Sequence, residues 1–329
     1  MLMTCIITCF NYQEYVKEAI SSAVAQTVPF DEIIVVDDGS SDESPKVIEE
    51  SIYGRSNILF IRHTQNLGQL AAFESGIMRS NGDFIFLLDA DDLYAPNYLE
   101  TCTTVYTRNR QCRFMFSRKV DFGRHTPLDL FKEVERLSQS EILITDLGFS
   151  VVRTLECRAW IGAPTSCLSM HRSVARKLFP LPLHEDWRIR ADDCIILGAS
   201  LAGYQKFRLD HALVGYRIHG SNAWANNKRF EEPNVFFMGE LAIRRLFNLL
   251  SDRFHLGQNI RDIAEFEFKT IPRPSRFELL RYLRLVAGNT AKRTSRIRAM
   301  GVLFKWYFKS RSHVKSESTG LHPGSKTRS

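Results

Sequence analysis

No stretch of this 329-residue chain approaches the run of about eighteen apolar residues that a membrane-spanning helix needs. Met1-Leu2-Met3 leads straight into a strand-like segment without a basic leader, so neither a signal peptide nor a transmembrane anchor is expected. Cysteine is sparse and unpatterned: Cys5, Cys9, Cys102, Cys112, Cys157, Cys167 and Cys194 make an odd count of seven with no Cys-x-x-Cys spacing. That argues against a zinc site and a disulfide framework, and a reducing cytoplasmic setting is expected. Glycine-rich phosphate loops are missing as well. Neither Gly-x-Gly-x-x-Gly nor Gly-x4-Gly-Lys-Ser/Thr occurs, which disfavours nicotinamide and P-loop readings. Acidic residues are scarce at one end only: residues 273–329 hold 14 lysines and arginines against Glu278 and Glu317, a net +12, so the rest carries −5 of the total +7. The basic character belongs to the tail, the body is mildly acidic, and no nucleic-acid partner is expected.

What the chain has is 44% hydrophobic content and an alternation of short apolar runs with helical patterns. Leu2–Thr8, Glu32–Val36, Asn57–Arg62 and Phe84–Leu88 read as strands. Between them, Tyr15–Val24, a segment from Ser41 or Asp42 to about Ser51, and Leu70–Met78 read as helices. Such alternation predicts an α/β fold with a mostly parallel central sheet flanked by helices, every strand ending on one edge. Thr8-Cys9-Phe10-Asn11, Asp37-Asp38 and Asp89 to Asp92 then lie side by side, where open α/β sheets bind ligands. Clustered carboxylates repel unless a cation lies between them, and Mg²⁺ or Mn²⁺ takes oxygen ligands from carboxylates and substrate phosphates. Asp89-Ala90-Asp91 therefore points to a divalent-cation and diphosphate site, against the plainer reading of a solvated acidic turn.

Thr8-Cys9-Phe10-Asn11, Asp37-Asp38-Gly39-Ser40-Ser41-Asp42, Asn66-Leu67-Gly68 and Asp89-Ala90-Asp91-Asp92, in this order and spacing, resemble family 2 glycosyltransferases of the GT-A fold. The resemblance spans roughly residues 2–222. It implies a Rossmann-like nucleotide-sugar-binding fold and an inverting, metal-dependent transfer from a nucleotide-diphosphate donor. Donor contacts would come from Thr8, Phe10, Asn11, Asp38, Asn66, Asp89 and Ala90, with the nucleobase near Thr8, Phe10 and Asp38 and the diphosphate at Asp89 and Asp91. Inversion asks for a carboxylate that takes a proton from the acceptor hydroxyl. Arg190-Ala191-Asp192-Asp193, an apolar helix, and then Tyr216-Arg217-Ile218-His219-Gly220 are similar to a family pattern in which the first Asp is the base. Asp192 takes that role, with Asp193 as the alternative and Glu185-Asp186 as a weaker one. His219 joins Asp91 and Asp89 as an implied metal ligand, and Arg217 would either meet phosphate or pair with an acid. Gly162 to Ser173 resembles a segment before the acceptor site, although Cys167 stands where glycine is common.

The pattern weakens over residues 121–160, where Phe131–Leu137 is helix-like and Glu141–Leu147 suits helix or strand. Val235–Phe254 predicts a helix packed on the body or on a second subunit, so a homo-oligomer is one of two arrangements. Phe277–Val286 and Ile297–Phe308 interleave aromatic and basic residues, which suits either an anionic membrane surface or a solvated face over a partner helix. His313–Ser329 is polar and serine-rich and is expected to be disordered. The expected organisation is a catalytic domain at 1–225 (nucleotide-sugar half 1–112, acceptor half 113–225), a helical extension at 226–275 and a basic tail at 276–329. The acceptor expected from the resemblance and the tail is a glycan or lipid-linked glycan of the cell envelope, met in the cytoplasm at the inner membrane face. Two other readings stand beside this one: a non-catalytic sugar-nucleotide-binding protein, and a nucleotidyltransferase on a similar sheet. The latter would want a glycine-rich basic loop after its first strand, and Thr8 to Tyr12 has neither glycine nor lysine.

Overall fold

The computed structural model describes residues 1–127, 129–132, 134, 141–220, 233–257, 260–288 and 293–317. The helix-like Phe131–Leu137, the end of the Tyr216–Asn222 motif and the last part of the tail reach outside these residues.

The alternating pattern folds as expected. Strands β1 (Met3–Cys9), β2 (Glu32–Asp37), β3 (Ile58–Arg62) and β4 (Phe84–Asp89) alternate with helices α1 (Val16–Val24), α2 (Ser44–Ile52) and α3 (Gln69–Arg79). They pair in parallel in the order β3-β2-β1-β4. The register puts Thr8 opposite Asp89 on one side of β1 and Cys9 opposite Asp37 on the other, so the acidic strand ends share one edge. β4 is buried on both faces because its side chains alternate between two cores: Phe84, Phe86 and Leu88 join one, Ile85 and Leu87 the other.

The second half extends the same sheet. After β5 (Leu93–Tyr94) and α4 (Tyr98–Arg108) come β6 (Phe114–Phe122), β7 (Ile144–Asp146), α5 (Val151–Cys157), β8 (Leu168–His171), α6 (Arg172–Leu178), α7 (Asp192–Leu201) and β9 (Lys206–Arg217). Antiparallel β8 links β4 to β6, and β9 runs parallel to β6 with β5 and β7 on its far side. The segment around residues 141–147 is thus a strand, because β9 offers it a free edge. Cys167 needs no glycine: it closes the 3₁₀ turn Thr165–Cys167, is buried, and has no positive φ.

Helix α8 (Pro233–Arg253) packs on the body, burying Ala242, Leu246 and Leu250 in the core that holds α3 and α7. Helices α9 (Ala264–Lys269), α10 (Arg276–Ala287) and α11 (Arg293–Glu317) follow. They form a third core with Val152 of α5, in which Phe268, Leu279, Tyr282, Val286 and Leu303 are buried. A capping box starts α10: the Ser275 side chain accepts from the Glu278 N–H while Glu278 accepts from the Ser275 N–H. Glu267 pins this layer to the body, its carboxylate accepting from the Val152 and Arg153 N–H groups (2.8 and 3.1 Å) and from the Tyr282 hydroxyl. The basic tail therefore buries one face against partner helices and leaves Phe277, Leu280, Ile297, Phe304 and Phe308 exposed on the outer one. Helix α11 reaches Glu317, further than the serine-rich composition predicts. Among the described residues no helix is long and apolar enough to cross a membrane.

Candidate active site

The carboxyl ends of β1, β2 and β4 open into a cavity of about 890 Å³ whose far wall comes from α7 and α8. Thr8, Phe10, Asn11, Asp38, Asn66, Asp89 and Asp91 line it, and so do Asp192 and Asp193, which are a hundred residues further along the chain. Ala90 and His219 are not among the lining residues. Ala90 is buried with its N–H donated to the Thr8 carbonyl, and His219 is buried behind Asp91.

Asp89, at the end of β4, accepts hydrogen bonds from the Thr8 hydroxyl and the Gln69 side-chain amide, both at 3.2 Å. Gln69 also accepts from the Ala191 N–H at 2.9 Å, tying the segment that carries Asp192 to the acidic edge. Ser166 binds the cluster from behind, accepting from the Asp89 N–H and donating to Asp92, which also accepts from the Arg217 N–H. Burial pushes the Asp89 carboxyl up to about 7, helped by repulsion from Asp91 and Asp192. Burial, with Asp91 and Asp89 close by, holds Asp92 well above the usual carboxylate range. Burial and the same three carboxylates also raise the Tyr12 hydroxyl. The acidic cluster is thus crowded with like charge, while Arg158, Arg188 and Arg190 also line the cavity.

Among the described residues no three His, Cys, Asp or Glu side chains converge to enclose a metal by themselves. The expected trio of Asp89, Asp91 and His219 is not a preassembled cage, because the His219 Nε2 lies 2.9 Å from Asp91 Oδ2 and meets the carboxylate itself. Asp89 and Asp91, both lining the cavity, nonetheless fit the mode in which Mg²⁺ or Mn²⁺ rests on one or two acids and completes its shell with substrate phosphate and water. Arg217 pairs with acid. It is fully buried, donates to Glu18 and to the Asp91 carbonyl at 2.8 and 2.7 Å, and stacks on Tyr15 and Phe122.

Asp38 is more structural than a strand-end acid need be. Its two oxygens accept from the Leu67 and Gly68 N–H groups at 2.9 and 2.8 Å, and His63 Nδ1 lies 2.7 Å from Oδ1. It holds the Asn66-Leu67-Gly68 loop against β2. Gly39, at φ +71°, passes so close that a Cβ would lie 2.4 Å from the Gln65 carbonyl carbon. Asn11, itself at φ +57°, accepts from the Ser41 N–H and fixes the facing loop.

The two acids at the start of α7 differ in their partners. Asp193 is buried and committed: Trp160 Nε1 and an Arg190 guanidinium nitrogen each donate to it at 2.6 Å. Asp192 accepts only a 3.2 Å bond from the Asp193 N–H among the hydrogen bonds resolved, and its carboxyl is pushed up to about 7 by burial and by Asp193, against the pull of Arg190. A carboxylate poised there is suited to exchange a proton near neutral pH. Glu185 and Asp186 do not line the cavity; Asp186 pairs with Arg245 and Glu185 with Arg188. Sequence reasoning missed Gln69, Ser166, Tyr12, Tyr216 and Trp160. Gln69 follows Gly68 directly, Tyr216 opens the Tyr-Arg-x-His-Gly motif and Ser166 falls in the Gly162 to Ser173 segment, but nothing in the sequence signals Trp160.

A mostly parallel sheet with an antiparallel insertion, and carboxylates at its strand ends beneath a deep cleft, defines the GT-A class of fold. The sequence profile of glycosyl transferase family 2 matches residues 4–176. The chain is 34% identical to an uncharacterized glycosyltransferase of Nostoc sp. over 222 residues, 68% of this chain and 66% of that protein. It is 32% identical to glycosyltransferase GlyA of Streptococcus pneumoniae over 99 residues, 30% of this chain and 14% of that protein. Among solved structures, S. aureus TarS residues 1–349 in complex with UDP-GlcNAc shares the fold at a TM-score of 0.52 and 14% identity, covering 96% of this chain and 92% of that one. The chain belongs to glycosyl transferase family 2. It spans just under two thirds of the Nostoc relative and a smaller share of GlyA.

Proposed function

We propose that the protein is an inverting, metal-dependent glycosyltransferase that moves a sugar from a nucleotide-diphosphate donor to a hydroxyl of a glycan or lipid-linked acceptor in cell-envelope polysaccharide synthesis. The observation that carries the reading is that Asp192 opens onto the same cavity as Asp89 and Asp91. A proton acceptor thus faces a diphosphate site across a space large enough for a sugar. The complex of S. aureus TarS with UDP-GlcNAc supports a nucleotide-sugar donor on this fold.

Thr8, Phe10 and Asn11 border the donor's base and ribose, while Asp38 keeps the Asn66–Gly68 loop closed against them. Asp89 and Asp91 would hold a divalent cation. When bound, that cation neutralises charge developing on the leaving diphosphate. His219, behind Asp91, orients its carboxylate. Asp192 accepts the proton of the acceptor hydroxyl as that oxygen attacks the anomeric carbon from the face opposite the leaving group, which inverts the centre. Exposed basic and aromatic residues on α10 and α11 would rest on an anionic membrane at its cytoplasmic face.

Thermal-shift screening against nucleotide sugars, with and without Mn²⁺, tests the reading, since a ligand bound to the native state raises Tm. One donor should raise the Tm of the wild type in a Mn²⁺-dependent way, and Asp91→Ala should lose most of that shift. An equal donor shift in Asp91→Ala with Mn²⁺ present rules out the diphosphate site drawn here.

A further inference from the structure

Carboxylates and a group of apolar side chains line the same cavity. Beyond Asp192 the wall is Leu197 of α7, the half-exposed Trp160, and Ile243 and Phe247 of α8. Along α8, Phe236, Glu240, Ile243 and Phe247 recur at intervals of four, three and four, so they occupy one helix face. Two observations fix where that face points. Ile243 and Phe247 line the cavity, and Glu240 pairs with Arg158, another lining residue. Phe236 continues the stripe about 10 Å further out, at 1.5 Å of helix rise per residue. There Phe236 and Phe237 are 66% and 61% exposed, with Met238 beside them. A donor alone needs no such surface, because its polar groups are met at the strand ends.

We infer that the α8 face from Phe247 out to Phe236, with Trp160 and Leu197 of the same cavity wall, is the acceptor subsite, and that its occupant is an amphiphile. The polar head presents a hydroxyl to Asp192, and a hydrocarbon chain attached to that head leaves along α8. This rests on the proposed transfer reaction and narrows its acceptor to the lipid-linked class. Continuity with the catalytic cavity selects this occupant: Ile243 and Phe247 line the cavity with Asp192, and the helix face they share runs on beyond it to the exposed Phe236.

The test uses the full chain and hexyl, octyl and decyl β-glucosides, each below its micelle concentration, with affinity read from thermal shift and tryptophan fluorescence. Each methylene buried against the stripe should tighten binding about fourfold. Phe236→Ser should flatten the chain-length dependence while Phe277→Ser, an exposed phenylalanine on α10, leaves it intact. Affinity independent of chain length overturns the inference, as does an equal loss in the two variants, which would mark general adsorption. So does a wild-type dimer that Phe236→Ser converts to monomer in sedimentation, since a second copy would then cover the face. The nucleotide-sugar shift is measured on the same samples. If it persists while the glucoside series is flat, only the acceptor assignment fails; if no donor shifts the wild type, the transfer reading fails with it.

Discussion

Replacing Asp192 by Asn removes a charge and leaves the shape. Asn can accept the 3.2 Å bond from the Asp193 N–H, so the first turn of α7 should stay formed. Burial and Asp193 already raise this carboxyl to about 7, so losing the charge relieves repulsion, and the variant should melt no lower than the wild type near neutral pH. Activity should behave in the opposite way. A positioned general base contributes roughly 10²–10⁴-fold, and at 1.36 kcal/mol per decade that is about 3–5 kcal/mol of transition-state stabilisation. The assay is release of nucleoside diphosphate, with the donor that thermal shift selects and an acceptor-containing lipid extract. Donor affinity should change little, because a base acts on the acceptor proton in the transition state. The pH profile gives a second readout. Asp192 must be ionised to accept a proton and Asp89 to hold the cation. Burial and Asp193 raise the Asp192 carboxyl to about 7, and a bound cation would keep Asp89 ionised, so wild-type kcat/KM should climb towards neutral pH with a logarithmic slope of about one, then level off. In Asp192→Asn the slope should fall by about one. If the variant keeps more than a tenth of wild-type turnover with an unchanged slope, Asp192 is not the base.

Two other expectations concern the C-terminal layer. Glu267→Ala would strand the Val152 and Arg153 N–H groups and the Tyr282 hydroxyl in a buried setting, and at about 1–3 kcal/mol for each buried group left unpaired it should cost on the order of 3 kcal/mol. Urea unfolding measures the loss, and hydrogen exchange should locate it in α5 and α9 to α11; a cost below about 1 kcal/mol would refute the pinning role. Lys305 and Lys309 are exposed beside Phe304 and Phe308. Reversing both to Glu should weaken sedimentation with phosphatidylserine vesicles by at least about thirtyfold, taking roughly 1 kcal/mol per lysine. Unchanged sedimentation would remove the membrane role of the tail. Charge reversal is the better probe than truncation before α10, because truncation would uncover Val152 and Phe268 in the shared core.

Local pattern was enough to determine the first hundred residues. Five consecutive apolar residues ahead of Asp89, too few for a typical helix, read as a strand buried on both faces, and parallel crossovers bring the ends of β1, β2 and β4 onto one edge. The motifs around Thr8, Asp38, Asn66 and Asp89 were therefore legible together, and the chain's place in family 2 follows from them. Tertiary structure decided what depends on contacts between distant segments. It separated Asp192 from Asp193, since only the fold brings Trp160 and Arg190 onto one of two adjacent acids. It turned Asp38 inward to a loop and Arg217 inward to acids, and it set His219 against Asp91 instead of leaving it in a ready-made metal cage. It also decided the tail. Amphipathic spacing says that a helix has an apolar face but not what covers it; here Glu267 and a third core cover one face of α10, and the other stays open. Periodicity specifies which residues share a face, whereas partner identity is a property of the folded chain alone.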